Sequence, residues 1–268
     1  MATSRPFSWL PWNRVRRHRL AQTPLPDGWI ALLERNLPIA LDLSEADRRR
    51  WHGLIQVFLD DKTFEGLGGL ELTDEVRLTI AGQATLLLLG LDIELPYPGL
   101  HVIRVYPDDY RAPVTERDGL FETEGLSHRY GESSGRGYVV LSWRETLRGA
   151  RDPADGRNLV FHEFAHQLDA ESGTANGAPL LHSRAAYGPW ARVLGEAFSH
   201  LRRDVSEHQR SVLDAYGATN PAEFFAVATT TFFEQPVGLK AAAPELYAVL
   251  AEYWRQDPAV RLGRVSTT

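Results

Sequence analysis

The chain has 268 residues, 43% of them hydrophobic and 24% charged, an ordinary balance for a soluble globular protein with material for a sizeable core. It contains no cysteine, which excludes disulfides, thiolate metal ligands and a cysteine nucleophile; any metal must use His and carboxylate, and a cytoplasmic location is compatible and expected. The net charge of -6 argues against a general nucleic-acid footprint, so no direct nucleic-acid partner is expected.

Residues 1–25 read as a mobile basic and aromatic segment. Trp9-Leu10-Pro11-Trp12 is followed by Arg14, Arg16, Arg17 and Arg19, and the apolar stretch of a secretory signal is missing. Residues 26–258 read as one compact unit and 259–268 as a tail. A helix is expected from Ser44, a candidate N-cap, to Phe58, with Trp51, Leu54, Ile55 and Phe58 at helical spacing. Gly66-Leu67-Gly68-Gly69 reads as a loop, and a second helix runs from Thr73 towards Leu91, apolar nearly all round and therefore central. The apolar run from Leu86 to Leu91 is far too short to span a membrane, so no transmembrane segment is expected.

Two strands follow, His101–Tyr106 and Gly137–Trp143, separated by a turn-rich stretch with room for one or two short strands. The fold class is α+β, mainly helical, with a small mixed or antiparallel sheet preceding the next helix. Gly137–Trp143 is either an edge that pairs with an extended substrate or an internal core strand. Beyond the loop 171–179, helices are expected from about Ser183 to Arg203 and from Ser206 to Ala215.

The stretch Asn158 to Asp169 carries His162-Glu163-Phe164-Ala165-His166 inside an uninterrupted helical pattern. His162 and His166 lie one turn apart on the same face, where two neutral imidazoles meet one zinc ion about 2 Å from each nitrogen. Glu163 sits beside them, placed to accept a proton from water rather than to ligate. Phe161, Phe164, Ala165 and Leu168 put this helix in the core, and a pair of buried histidines calls for a metal more than a lone one would.

A catalytic zinc takes three protein ligands. The metzincin continuation is absent, since Asp169 and Ser172 occupy its glycine and histidine positions. The other candidate is Glu223: Asn220 can cap a helix and Pro221 suits its first position, which places Glu223 in the first turn. Acidic residues also favour helix N-termini through the dipole alone, so spacing leaves ligand and dipole partner both open.

These residues resemble the Mlc titration factor A family of bacterial zinc metallopeptidases. The resemblance runs through Trp9 to Trp12, Val105-Tyr106-Pro107, Gly137 to Trp143, Asn158 to Asp169, Asp214 to Ala226 and Gln256-Asp257-Pro258. It implies a gluzincin-type, zincin-like domain related to the catalytic domain of anthrax lethal factor, with one zinc per chain held by His162, His166 and Glu223. It further implies Glu163 as general base, Tyr216 as an oxyanion donor, weak aminopeptidase-like hydrolysis of peptides, and binding to the glucose repressor Mlc where that repressor exists. Packing of Tyr216 as a helix-end aromatic is the competing explanation for that residue. One departure is visible: Thr230 stands where the family tends to carry Glu before its paired phenylalanines. If that glutamate orients a ligand imidazole, its loss passes the bond to Asp169, a backbone carbonyl or water and weakens metal affinity about 10- to 100-fold.

Overall fold

The computed structural model describes residues 11–108, 110–118, 121–129, 131–134 and 137–265. Helix α1 (Pro11–Gln22) leads into α2 (Asp27–Asn36) and α3 (Glu45–Asp61), and Ser44 caps α3 by accepting from the Asp47 amide. Where the sequence suggests a mobile segment, α1 lies against α3, with the Ala21 backbone beside Gly53. Its polar, mostly exposed sequence hides this from a periodicity reading, because few apolar residues mark the inner face.

Strand β1 (Thr63–Gly66) precedes α4 (Asp74–Leu86), and β2 (Val102–Tyr106) lies parallel to β1, the crossover between them being α4. Nearly all of α4 is buried, as its all-round apolar sequence requires. It stops at Leu86 rather than Leu91, and the Arg50 guanidinium takes up the carbonyls of Leu89 and Leu91 in the turn that follows. Between β2 and β6 (Tyr138–Ser142), strands β3 (Tyr110–Asp118) and β4 (Phe121–Arg129) pair antiparallel as a separate ribbon. β5 (Gly131–Ser134) pairs with β6.

The main sheet has the order β1-β2-β6-β5. Its three-strand core β1-β2-β6 is wholly parallel, where the sequence suggests a mixed or antiparallel sheet, and the antiparallel relation is confined to the outer pair β5-β6. Ile103, Val105, Val139 and Leu141 are fully buried, which fits parallel strands enclosed by helices. β6 is internal, so the expectation of Gly137–Trp143 as a substrate-pairing edge gives way to the internal alternative.

Helix α5 (Trp143–Arg151) follows directly, then α6 (Leu159–Ala170), α7 (Tyr187–Ser206) and α8 (Pro221–Glu234). The helix expected from Ser206 to Ala215 does not form. Residues 207–211 carry no apolar face to bury, His208 adopts a left-handed conformation (φ 55°), and the chain reaches Leu213 as a loop. Helices α9 (Pro236–Ala242), α10 (Pro244–Trp254) and α11 (Pro258–Val265) close the chain; α11, in the expected tail, packs on α9. No helix among the described residues is long and apolar enough to cross a membrane.

The core around α6 is aromatic. Phe164 meets Phe58 at 5.8 Å and Tyr97 at 4.7 Å, tying α6 to α3, and Phe161 meets Phe233 at 5.4 Å, tying it to α8. Burial of these two side chains contributes several kcal/mol and fixes which face of α6 remains for chemistry.

Candidate metal centre

α6 begins where Asn158 accepts from the Phe161 amide at 2.9 Å, and α8 where Asn220 accepts from the Glu223 amide at 3.0 Å with Pro221 at the first helical position. The helices run antiparallel: Glu223 lies beside His162 and His166, whereas Phe233 and Glu234 lie near the start of α6. The three sequence-predicted metal residues therefore converge although Glu223 is 57 residues from His166.

The geometry is tight. His162 Nε2 is 3.0 Å and His166 Nε2 3.3 Å from Glu223 Oε2, and the two imidazole nitrogens are 3.2 Å apart. A tetrahedral zinc with bonds of about 2.0–2.1 Å requires donor separations of about 3.3 Å, so three corners of such a site are in place. All three side chains are partly buried, with 14–19% exposure, which leaves the fourth direction open to solvent or substrate. Burial alone would lower the pKa of His166, yet the hydrogen bond to Glu223 and the carboxylates of Glu163, Glu223 and Asp169 outweigh it and raise the pKa. Burial alone would raise Glu223, but hydrogen bonds from both imidazoles pull it down to about 2. An ionised carboxylate beside two imidazoles is a donor set that fits a divalent metal ion.

Glu163, the next residue of α6, is only 5% exposed. Tyr216 lies in a short 3₁₀ turn, Ala215–Ala218, that an Asp214 side chain caps; its ring centroid is 6.0 Å from that of His162. At 55% exposure it lies on the rim of the site and contributes little to the core, against the packing explanation. Thr230 is buried and returns its hydroxyl to the Ala226 carbonyl of its own helix, so it does not take the place of a carboxylate acting on an imidazole.

A family model, the glucose-regulated metallo-peptidase M90 family, matches residues 12–255. The chain belongs to this family. Among curated relatives it is 41% identical over 254 residues to an uncharacterized Synechocystis sp. protein, covering 94% of this chain and 91% of the relative. It is 34% identical over 264 residues to Mlc titration factor A of Klebsiella pneumoniae (strain 342), covering 96% and 94%. It is 33% identical over 268 residues to Mlc titration factor A of Escherichia coli O9:H4, covering 97% and 96%. Membership implies a metallopeptidase and hence a metal, for which the His162, His166 and Glu223 cluster is the one group of suitable donors among the described residues.

Three features of the surroundings escape a reading by motif. Asp169, fully buried three residues after His166, accepts from the Gly177 amide at 2.7 Å. Glu234, eleven residues after Glu223 and so on the same face of α8, points towards Asn158 and the amides of Gly156 and Arg157 without a well-formed bond; burial raises its pKa to about 8. Glu171, at the end of α6, is raised to about 7 by burial despite the Lys62 ammonium, which is itself buried and held by Asp61 and the Tyr97 carbonyl. The helical repeat connects Glu234 to Glu223 in sequence, but no local pattern links Asp169 to Gly177 or Glu171 to Lys62.

Proposed function

We propose that the protein is a zinc-dependent, aminopeptidase-like hydrolase of peptide bonds in which His162, His166 and Glu223 hold one zinc ion per chain. The observation that carries this reading is the convergence of the three donor atoms to 3.0–3.3 Å of one another with the Glu163 carboxylate on the adjoining residue. When bound, the metal supplies Lewis acidity, polarising a carbonyl and bringing the pKa of water towards about 7. Glu163, poorly solvated, takes the proton of the attacking water and returns it to the departing amine. Tyr216, on the rim, donates its phenol hydrogen to the carbonyl oxygen as charge builds there, a contribution of about 3 kcal/mol for donors of this kind. An extended peptide would add to the outer side of β5, the strand that ends the sheet beside β6 and touches α6.

The name of two relatives, Mlc titration factor A, supports a second role, binding of a Mlc-like repressor, and with it a cytoplasmic place of action. The deciding experiment compares zinc-loaded wild type and Glu163→Gln on a broad peptide library and on an immobilised Mlc-like repressor. Loss of most turnover in Glu163→Gln, with zinc content retained, supports the hydrolase. Equal turnover sinks the role of Glu163. A wild type that cleaves nothing yet binds the repressor favours the regulatory role over catalysis.

A further inference from the structure

α6 and α8 supply all three candidate ligands, but their nearest ends are joined through 50 residues of loop and helix, and a metal centre tolerates an error of only about 0.5 Å. Something must hold the C-terminal end of α6 at a defined distance from the N-terminal end of α8. The loop after α6 contains one buried residue that touches both. The Gly177 amide donates to Asp169 Oδ2 of α6 at 2.7 Å, and its carbonyl accepts from the Trp190 indole of α7 at 3.0 Å; both bonds are buried. Gly177 has φ 79°, and its Cα lies on the backbone of Pro221: an added Cβ would stand 2.9 Å from the Pro221 carbonyl carbon and closer still to its oxygen. Pro221 opens α8 two residues before Glu223, so displacing the one displaces the other.

We propose that Gly177, clamped by Asp169 and Trp190 and seated on Pro221, is a positioning residue that sets the distance between the histidine-bearing helix and Glu223. The inference rests on the reading of His162, His166 and Glu223 as metal ligands. The same loop supplies an internal control. Gly173 also has positive φ, 91°, yet it is exposed and an added Cβ meets nothing within 4 Å. Alanine at either position therefore carries the backbone strain, while only alanine at 177 pushes on α8.

The test uses the full chain as wild type, Gly177→Ala, Gly173→Ala and Asp169→Ala. Folding of the metal-free proteins is checked by circular dichroism, zinc Kd is measured by chelator competition, and the metal-free proteins are crystallised. Gly177→Ala and Asp169→Ala are expected to bind zinc about 10- to 100-fold more weakly, with Gly173→Ala within about threefold of wild type. In Gly177→Ala crystals the separations from Glu223 Oε2 to the imidazole nitrogens should exceed the 3.0 and 3.3 Å seen here. A folded Gly177→Ala with wild-type Kd and unchanged separations overturns the proposal, as does equal weakening by Gly173→Ala; if Gly177→Ala does not fold, Asp169→Ala decides by the same criteria. Failure of the wild type to bind zinc would instead overturn the ligand assignment, while the metal-free separations would still judge the role of Gly177.

Discussion

Glu223, partly buried, and Glu234, buried, lie three turns apart on one face of α8, yet they titrate in opposite directions. Glu223 has two imidazoles within 3.3 Å and is held ionised down to about 2; Glu234 meets only amide groups at poor geometry, with Asp155 nearby, and burial pushes it up to about 8. Burial is the first cause at both positions, and the partner decides the outcome. One end of the α6–α8 pair is thus suited to a charged carboxylate and a cation, the other to a neutral carboxyl under the start of the histidine-bearing helix.

The sharpest way to break this contrast is to remove each carboxylate in turn. Glu223→Ala should weaken zinc on the order of 1000-fold, a share of the roughly 10–16 kcal/mol by which such sites hold the metal, whereas Glu234→Gln should leave zinc content unchanged. Metal analysis of both purified variants checks this, and full zinc occupancy in Glu223→Ala would end the three-ligand assignment. Next in size, Tyr216→Phe should lower kcat and kcat/KM together by roughly 10- to 1000-fold with zinc retained. A change in KM alone would move Tyr216 to substrate binding, and unchanged kinetics would remove it from the mechanism.

Glu234 makes a claim about pH. Its folded pKa lies above the ordinary 4.5, so the unfolded chain loses this proton first; the stability that the neutral carboxyl contributes is whole below about 4.5 and drains away as pH rises to about 8, at up to about 1.4 kcal/mol per unit. Denaturant unfolding at pH 5 and pH 8 should show Glu234→Gln gaining on wild type by about 3.5 kcal/mol across that interval. A constant difference would mean Glu234 is already ionised at neutral pH. The smallest effect is expected at Thr230: Thr230→Val removes only a bond to the Ala226 carbonyl, so stability should change by less than about 1 kcal/mol and zinc Kd should not move. A tenfold loss of zinc in that variant would show that Thr230 acts on the site after all.

How much of this was legible in the residues differs by range. The cap at Ser44, the all-round burial of α4, the buried pattern of β2 and β6 and the packed face of α6 are written in spacings of two to four residues, and each appears in the structure close to where periodicity places it. What local spacing does not reveal has a common cause. α1 has too few apolar residues to show its contact with α3, the direction of the sheet depends on which strands meet, and residues 207–211 border a long helix without a face of their own to bury.

The sequence by itself determined the pair His162 and His166 with Glu163 beside them, because one helical turn is enough to bring two imidazoles together. It also determined that Glu223 begins a helix, through Asn220 and Pro221, but could not say what that helix faces. The third corner at 3.0–3.3 Å, the opposed titration of Glu223 and Glu234 and the seat of Gly177 on Pro221 were decided only by the antiparallel packing of α6 and α8. They depend on contacts between residues tens of positions apart, where distance is set by the volumes of the side chains in between and by no local rule of spacing.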